Sequence, residues 1–324
     1  MDKFKHAIIA EKLTKCFGSH LALDDLNLRI DYGEIFGFLG PNGAGKTTFI
    51  RILLDLIRPT TGSVSVFGLC PLENSIEIRS RCGYLPGELR LDENITVRAI
   101  INYFVNLRGG SSKITKKAYI LSERLSLDLN PKIKNLSKGN KQKIGIILAF
   151  MHSPDLLLLD EPTSGLDPLT QKSVLEIVNE AKDEGSTVFM SSHIFSEIRI
   201  VTDRFAIVRD GSVIDLKKTS DLEIHKTTIV KVKFNGVIPH KDTLKMMQNV
   251  SLKYVSSISK TLNFEVNGSM DQFLKFLSGY DVERLETSND VIEDLFFSYY
   301  DTKNNLNLQN NIFRKYVFSC CFKA

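Results

Sequence analysis

Residues 35–39, Ile-Phe-Gly-Phe-Leu, form an unbroken apolar run, the mark of a short strand buried on both faces. Two more short runs follow at 156–159 and 187–190, with a helical pattern over 168–183 between them. From Lys46 onward Phe49, Ile50, Leu53, Leu54 and Ile57 recur at helical spacing until Arg58-Pro59 ends the run. Buried strands alternating with helices predict a parallel α/β sheet. Ahead of it, 7–12, 22–30 and 63–67 carry strand-like patterns punctuated by Gly and Asp. Residues 92–150 read mostly as helix, with loops near 108–112 and 130–135.

Past Asp215 the texture changes. The stretch 229–234, Ile-Val-Lys-Val-Lys-Phe, alternates as a half-exposed strand, 262–266 does the same, and helices are expected at 270–278 and 290–300. This reads as a small α+β appendage over 219–301 with its own core. Then come an Asn-rich linker at 304–311 and a short basic-aromatic end, together a flexible tail over 302–324. No internal repeat is visible, so the chain holds one main domain, 1–218, and not two copies of it.

Composition narrows the reading without deciding it. The 324 residues, 43% hydrophobic and 25% charged, suit a globular protein with a sizeable core. A net charge of +4 gives no case for a nucleic-acid footprint, so no nucleic acid is expected. The apolar runs at 144–151 and 156–159 fall short of the roughly 18 residues a spanning helix needs. The apolar stretch at 7–10 is too short for a signal peptide, and a cytoplasmic location is expected. The five cysteines (Cys16, Cys70, Cys82, Cys320 and Cys321) show no metal-binding spacing and read as reduced thiols.

Chemistry concentrates in two segments. GPNGAGKTT comprises Gly40, Pro41, Asn42, Gly43, Ala44, Gly45, Lys46, Thr47 and Thr48, and fits the phosphate-loop pattern GxxxxGK[ST] at every position. Its glycines allow a tight turn whose N–H groups surround phosphates, and a helix starting near Lys46 aims its positive end at the same anion. Lys46 would bridge the β- and γ-phosphates of ATP, and Thr47 would coordinate magnesium. In LLLLDEP, a buried strand delivers Asp160 to the carboxyl edge of the sheet. Asp160 would hold Mg2+, and Glu161 is suited to polarise the attacking water as general base.

With these two segments in order, the chain resembles the nucleotide-binding subunit of the ABC transporter superfamily over roughly residues 4–220. LSKGNKQK, 136–143, looks like the family signature LSGGQ with a basic stretch after it. Lys138 and Asn140 depart from it, while Ser137 and Gly139 are retained. In the family this turn closes over ATP bound to a second subunit, and a helix beginning after Gly139 would add its dipole. Ser164-Gly165-Leu166-Asp167 is similar to the loop that crosses the dimer interface, which brings Asp167 to the nucleotide. His193 resembles the histidine that contacts the γ-phosphate, and Phe17 the aromatic that stacks on adenine.

One position departs more sharply. Where the family commonly has a glutamine that senses magnesium, this chain has Gly87 followed by Glu88. Either Glu88 takes that place at the metal or the contact is absent.

The resemblance implies a P-loop NTPase (RecA-like) core with an antiparallel β subdomain and a helical subdomain at about 88–150. It implies catalytic roles for Lys46, Glu161 and His193. It also implies a homodimer or paired cassette and a separate transmembrane permease, which holds the chain at the inner face of the cell membrane. The appendage, ending in Val291-Ile292-Glu293-Asp294-Leu295-Phe296, resembles more loosely that of ABC-2-type exporters. Two rivals lie outside transport. Ribosome- or DNA-directed relatives usually carry two cassettes or long coiled coils, which are not seen here. A regulatory or immunity ATPase, in which binding outweighs turnover, stays open because of the altered signature and the missing glutamine.

Overall fold

The computed structural model describes residues 5–224, 227–239, 250–256, 261–267 and 270–288. The chain divides into two compact units, Met1–Thr219 and Ser220–Ala324.

The first unit is built on a six-stranded sheet. Its strands are β3 (Ile35–Leu39), β5 (Cys82–Leu85), β6 (Leu156–Asp160), β7 (Thr187–Ser192), β8 (Arg204–Arg209) and β9 (Ser212–Lys218), in the order β5-β6-β7-β3-β8-β9. All neighbours are parallel except the β8–β9 hairpin at one edge. Every residue of β3, β6 and β7 is buried, which is why these strands read as continuous apolar runs. A second sheet joins β1 (His6–Phe17), β2 (His20–Asp31) and β4 (Thr61–Val66) in the antiparallel order β2-β1-β4. In β2 alternation turns Leu26, Leu28 and Ile30 inward and Asn27 and Arg29 outward.

Both sheets close on one core with α1 (Lys46–Leu53) between them. At its centre the rings of Phe38, Phe49 and Phe189 lie 5.3–5.5 Å apart, centroid to centroid. Each ring fully buried this way contributes about 1.5–3 kcal/mol, and Phe49 is on α1, so the phosphate-loop helix is anchored through the core.

Around the sheet lie α2 (Pro71–Arg81), α3 (Val97–Leu107), α4 (Ser112–Arg124), α5 (Lys138–Phe150), α6 (Pro168–Asp183) and α7 (Phe195–Val201). Thr96, Ser111 and Ser137 cap α3, α4 and α5 through their hydroxyls. The helix α2 and the strands β8 and β9 were not expected from the sequence. In α2 only Pro71 and Ile78 are buried, too thin a stripe to show as a period. The first strand also runs beyond 7–12 to Phe17, because pairing with β2 continues through Lys15 and Cys16. No helix among the described residues is long and apolar enough to cross a membrane.

The second unit opens within α8 (Thr219–Ile224) and contains β10 (Thr227–Phe234), β11 (Val250–Ser256), β12 (Thr261–Asn267), α9 (Asp271–Leu277) and β13 (Val282–Ser288). Its strands form an antiparallel sheet in the order β11-β12-β10-β13. Phe273 and Leu277, one turn apart on α9, pack onto Val230, Val232, Phe234, Leu262, Phe264 and Val266. The strands expected at 229–234 and 262–266 and the helix at 270–278 are present here. The helix expected at 290–300, the tail 302–324, Cys320 and Cys321 lie outside the described residues.

Candidate active site

The phosphate loop joins the carboxyl end of β3 to α1. Gly40 donates its N–H to the Ser192 carbonyl (3.1 Å), tying the loop to β7. A Cβ at residue 40 would stand 2.6 Å from the Val208 carbonyl oxygen. Gly45, at φ +98°, is the N-cap of α1, and a Cβ there would stand 2.4 Å from the Ala22 carbonyl oxygen. Glycine is therefore imposed at both ends of the loop by backbone approach and, at Gly45, by left-handed geometry. Asn42 and Gly43 form the exposed tip, Ala44 is buried, Pro41 is partly covered, and Thr47 and Thr48 are half-buried on the first turn of α1.

Lys46 folds back over the loop. Its ammonium donates to the carbonyls of Gly40 (2.6 Å) and Pro41 (3.1 Å) and lies 3.3 Å from Glu161 Oε1. Burial holds its pKa below the usual lysine value, while the carboxylates of Glu161 and Asp160 oppose that shift. Asp160, 1% exposed, accepts from Thr47 Oγ1 and Ser191 Oγ, each at 2.6 Å. A carboxylate buried this deeply is maintained by such paired donors. The sequence did not single out Ser191; a hydroxyl near the carboxyl end of a buried strand was the signal that could have found it.

Glu161 adopts φ +51°, left-handed for a non-glycine residue. Its N–H donates to the carbonyl (3.2 Å) and hydroxyl (3.1 Å) of Ser191. Its carboxylate reaches both Lys46 and His193 Nδ1, the latter at 3.2 Å. Lys46, Thr47, Asp160, Glu161 and His193 are thus brought together at the carboxyl edge of the sheet. Buried Glu197 on α7 supports this edge by accepting from Thr163 Oγ1 (2.6 Å) and Ser192 Oγ (2.7 Å). It was not anticipated: Ser192 is only five residues away, but Thr163 lies 34 residues away in sequence.

The signature segment begins a helix two residues earlier than expected. Ser137 is the N-cap of α5, accepting from the Asn140 N–H (3.2 Å), so the helix starts at Lys138 and Gly139 lies within its first turn. A Cβ at residue 139 would stand 2.7 Å from the Gly165 carbonyl oxygen. Asp167 caps α6, accepting from the N–H groups of Leu169 and Thr170 and the Thr170 hydroxyl. The Thr170 hydroxyl first, and then the Thr170 N–H, hold its carboxyl below the usual range. Phe17, 48% exposed at the end of β1, carries the Lys15 ammonium 4.8 Å above its ring.

Gly87 lies against the acidic centre: a Cβ there would stand 3.2 Å from Asp160 Oδ2. Glu88 does not join it. Its side chain is 84% exposed and its carboxylate faces Arg90 at 3.7 Å.

The arrangement offers a helix N-terminus and an ammonium to a polyphosphate, hard oxygen donors to a divalent cation, and a carboxylate to a water molecule. Comparison with known proteins agrees with that chemistry. The family model described as "ABC transporter" matches residues 23–164. The bacitracin transport ATP-binding protein BcrA of Bacillus licheniformis is 38% identical over 204 residues, covering 63% of this chain and 67% of that protein. An uncharacterized ABC transporter ATP-binding protein of Methanocaldococcus jannaschii, MJ1023, is 34% identical over 270 residues, covering 82% of this chain and 97% of that one. Among solved structures, an ATP-binding subunit of an ABC transporter aligns with a TM-score of 0.63 at 29% identity, covering 67% of this chain and 92% of that one. The cassette MJ0796, solved as a dimer bound to ADP and Pi, aligns with a TM-score of 0.60 at 25% identity, covering 65% and 98%. With likeness running nearly end to end in MJ1023 and the catalytic edge assembled as described, the chain belongs to the ABC transporter ATP-binding proteins, a family of ATP-hydrolysing cassettes.

Proposed function

We propose that this cassette pairs head-to-tail with a second cassette, closes on two ATP molecules, and drives export through a separate membrane permease. The convergence of Lys46, Asp160, Glu161 and His193 beside the phosphate loop carries this reading. In each site Lys46 and the amides of 40–48 would bind the β- and γ-phosphates of one ATP, with Phe17 against the adenine. The turn at Ser137 and Gly139 of the other cassette would cover the γ-phosphate, with Asp167 at the crossing loop. Glu161 would take the proton of the attacking water, a role worth about 10²–10⁴ in rate, and His193 would orient it and contact the γ-phosphate.

Magnesium fits the residues present. A buried carboxylate and a hydroxyl, Asp160 and Thr47, stand 2.6 Å apart, the oxygen donors such an ion takes alongside phosphates and water. Bound there, it would neutralise charge on the phosphate oxygens. The exposed position of Glu88 supports a metal site completed without its carboxylate.

The dimeric MJ0796 cassette supports pairing, and the name of BcrA supports a transport role. Tyr103 and Leu107 on α3, 57% and 62% exposed, support docking of a permease on the helical region. The cassette would then sit on the inner face of the membrane with residues 219–301 as an accessory domain. Steady-state ATPase of the full chain, alone and with a co-expressed permease, tests the proposal. Turnover that Lys46→Ala abolishes and the permease stimulates is expected; turnover indifferent to both would refute it.

A further inference from the structure

The conformation of Glu161 is set by its backbone, and one grip on that backbone comes from an unexpected direction. The Glu161 carbonyl accepts from the Ser164 N–H at 3.1 Å and from Gln142 Nε2 at 3.2 Å. The same Gln142 amide donates to the next carbonyl, that of Pro162, at 3.2 Å. Gln142 is 4% exposed. A buried side-chain amide has to find partners, and this one serves two successive carbonyls of the catalytic turn. That turn needs holding, because a left-handed φ at a non-glycine residue persists only where its surroundings enforce it.

Gln142 also lies on α5, the helix that Ser137 caps and whose first turn contains Gly139. Over so short a distance a hydrogen-bonded helix moves as a rigid piece. One end of that piece bears the turn assigned to the neighbouring cassette's ATP. A little further along, it grips the backbone of the base that serves this cassette's own ATP.

We infer that Gln142 is a positioning residue for Glu161, and that through α5 it ties the alignment of the base in one site to the nucleotide held in the other. The inference rests on the paired-cassette reading above. Movement of Ser137 and Gly139 onto the neighbour's phosphates shifts the Gln142 amide, and with it the Glu161 and Pro162 carbonyls. The carboxylate is brought into line only when the second site is filled, which makes hydrolysis cooperative in ATP.

The test uses the full chain and four variants: Gln142→Met, which removes both donors at similar size, Gln142→Lys, which keeps a donor of similar reach, Glu161→Gln, and Glu161→Gln with Gln142→Met. Kd for a fluorescent ATP analogue, kcat and the Hill coefficient for ATP are measured. For Gln142→Met, kcat is expected to fall about ten- to a hundred-fold, the scale of a misplaced catalytic group, with Kd unchanged and cooperativity lost. Gln142→Lys is expected to recover most of the turnover. Added to Glu161→Gln, Gln142→Met should cause no further loss, as befits a residue that acts through Glu161. Normal kcat in Gln142→Met, loss of ATP binding with it, no recovery by Gln142→Lys, or a full additional loss in the double variant would each overturn the inference. Absence of turnover in the wild-type chain would overturn the ATPase reading itself and this inference with it.

Discussion

His152, just beyond α5, is held neutral by its surroundings, and this gives the fold a measurable acid sensitivity. Its Nε2 lies 3.2 Å from the Cys82 carbonyl, to which it donates, and its Nδ1 is buried without a partner. A second proton would place an N–H at Nδ1 with no acceptor, near the Arg108 guanidinium. Burial first, and then Arg108, push the ring from 6.5 down to about 4. The unfolded chain takes up this proton as pH falls through 6.5, while the folded chain does not until about 4. In that window the unfolded state binds more protons, so stability falls with falling pH. From pH 7.5 to 4.5 the full shift corresponds to about 2.5 kcal/mol, reduced to about 2 kcal/mol because the ring keeps some contact with water.

In His152→Leu the Cys82 carbonyl keeps Arg108 as a donor at 3.0 Å, so stability at pH 7.5 should change by less than about 1 kcal/mol. Urea unfolding is followed by far-UV circular dichroism, since the chain has no tryptophan. Wild type is expected to lose about 2 kcal/mol more than His152→Leu between the two pH values. Carboxylates titrate alike in both proteins and cancel in the difference. Equal losses would refute the assignment of a depressed histidine.

Three further outcomes follow from the site. Glu161→Gln should lower ATP turnover by about 10²–10⁴ while leaving nucleotide binding, and size-exclusion chromatography with ATP should show a retained pair of cassettes. Phe17→Ala should weaken ATP binding by about 1–3 kcal/mol with kcat at saturation unchanged, as read by titration and steady-state kinetics. Glu88→Ala should leave the magnesium requirement of hydrolysis unaltered, since its carboxylate faces solvent and Arg90; a shift of more than about three-fold in a magnesium titration would show that Glu88 reaches the metal.

What the sequence disclosed, it disclosed where chemistry and structure are local. The phosphate loop and the Asp160-Glu161 pair are contiguous segments whose strand and helix neighbours are strongly patterned. Segments 156–159, 168–183 and 187–190 emerged as elements because they are buried in full or along a clear stripe. Ser191, Gln142 and Glu197 each have a partner, Asp160, Glu161 and Thr163 respectively, that lies 19 to 34 residues away, a contact that no spacing rule reveals. The signature helix starts two residues before the position its glycine suggests, because the Ser137 hydroxyl acts as its cap. Glu88 stands out in the sequence by its charge, whereas the fold turns Gly87 toward Asp160 and leaves its neighbour outside.

The close approach of residue 139 to the Gly165 carbonyl complicates the interpretation of any variant there. Even a single methyl group would force the loop at 164–167, which leads into Asp167 and α6, or the first turn of α5 to shift. Loss of activity on replacing Gly139 would therefore report on two loops wedged apart within one chain, quite separately from any lost contact with a neighbour's nucleotide. Ser137 lies outside this close approach but caps α5, so a variant there tests the proposed contact between cassettes only when another capping residue, such as Asn or Asp, is put in its place.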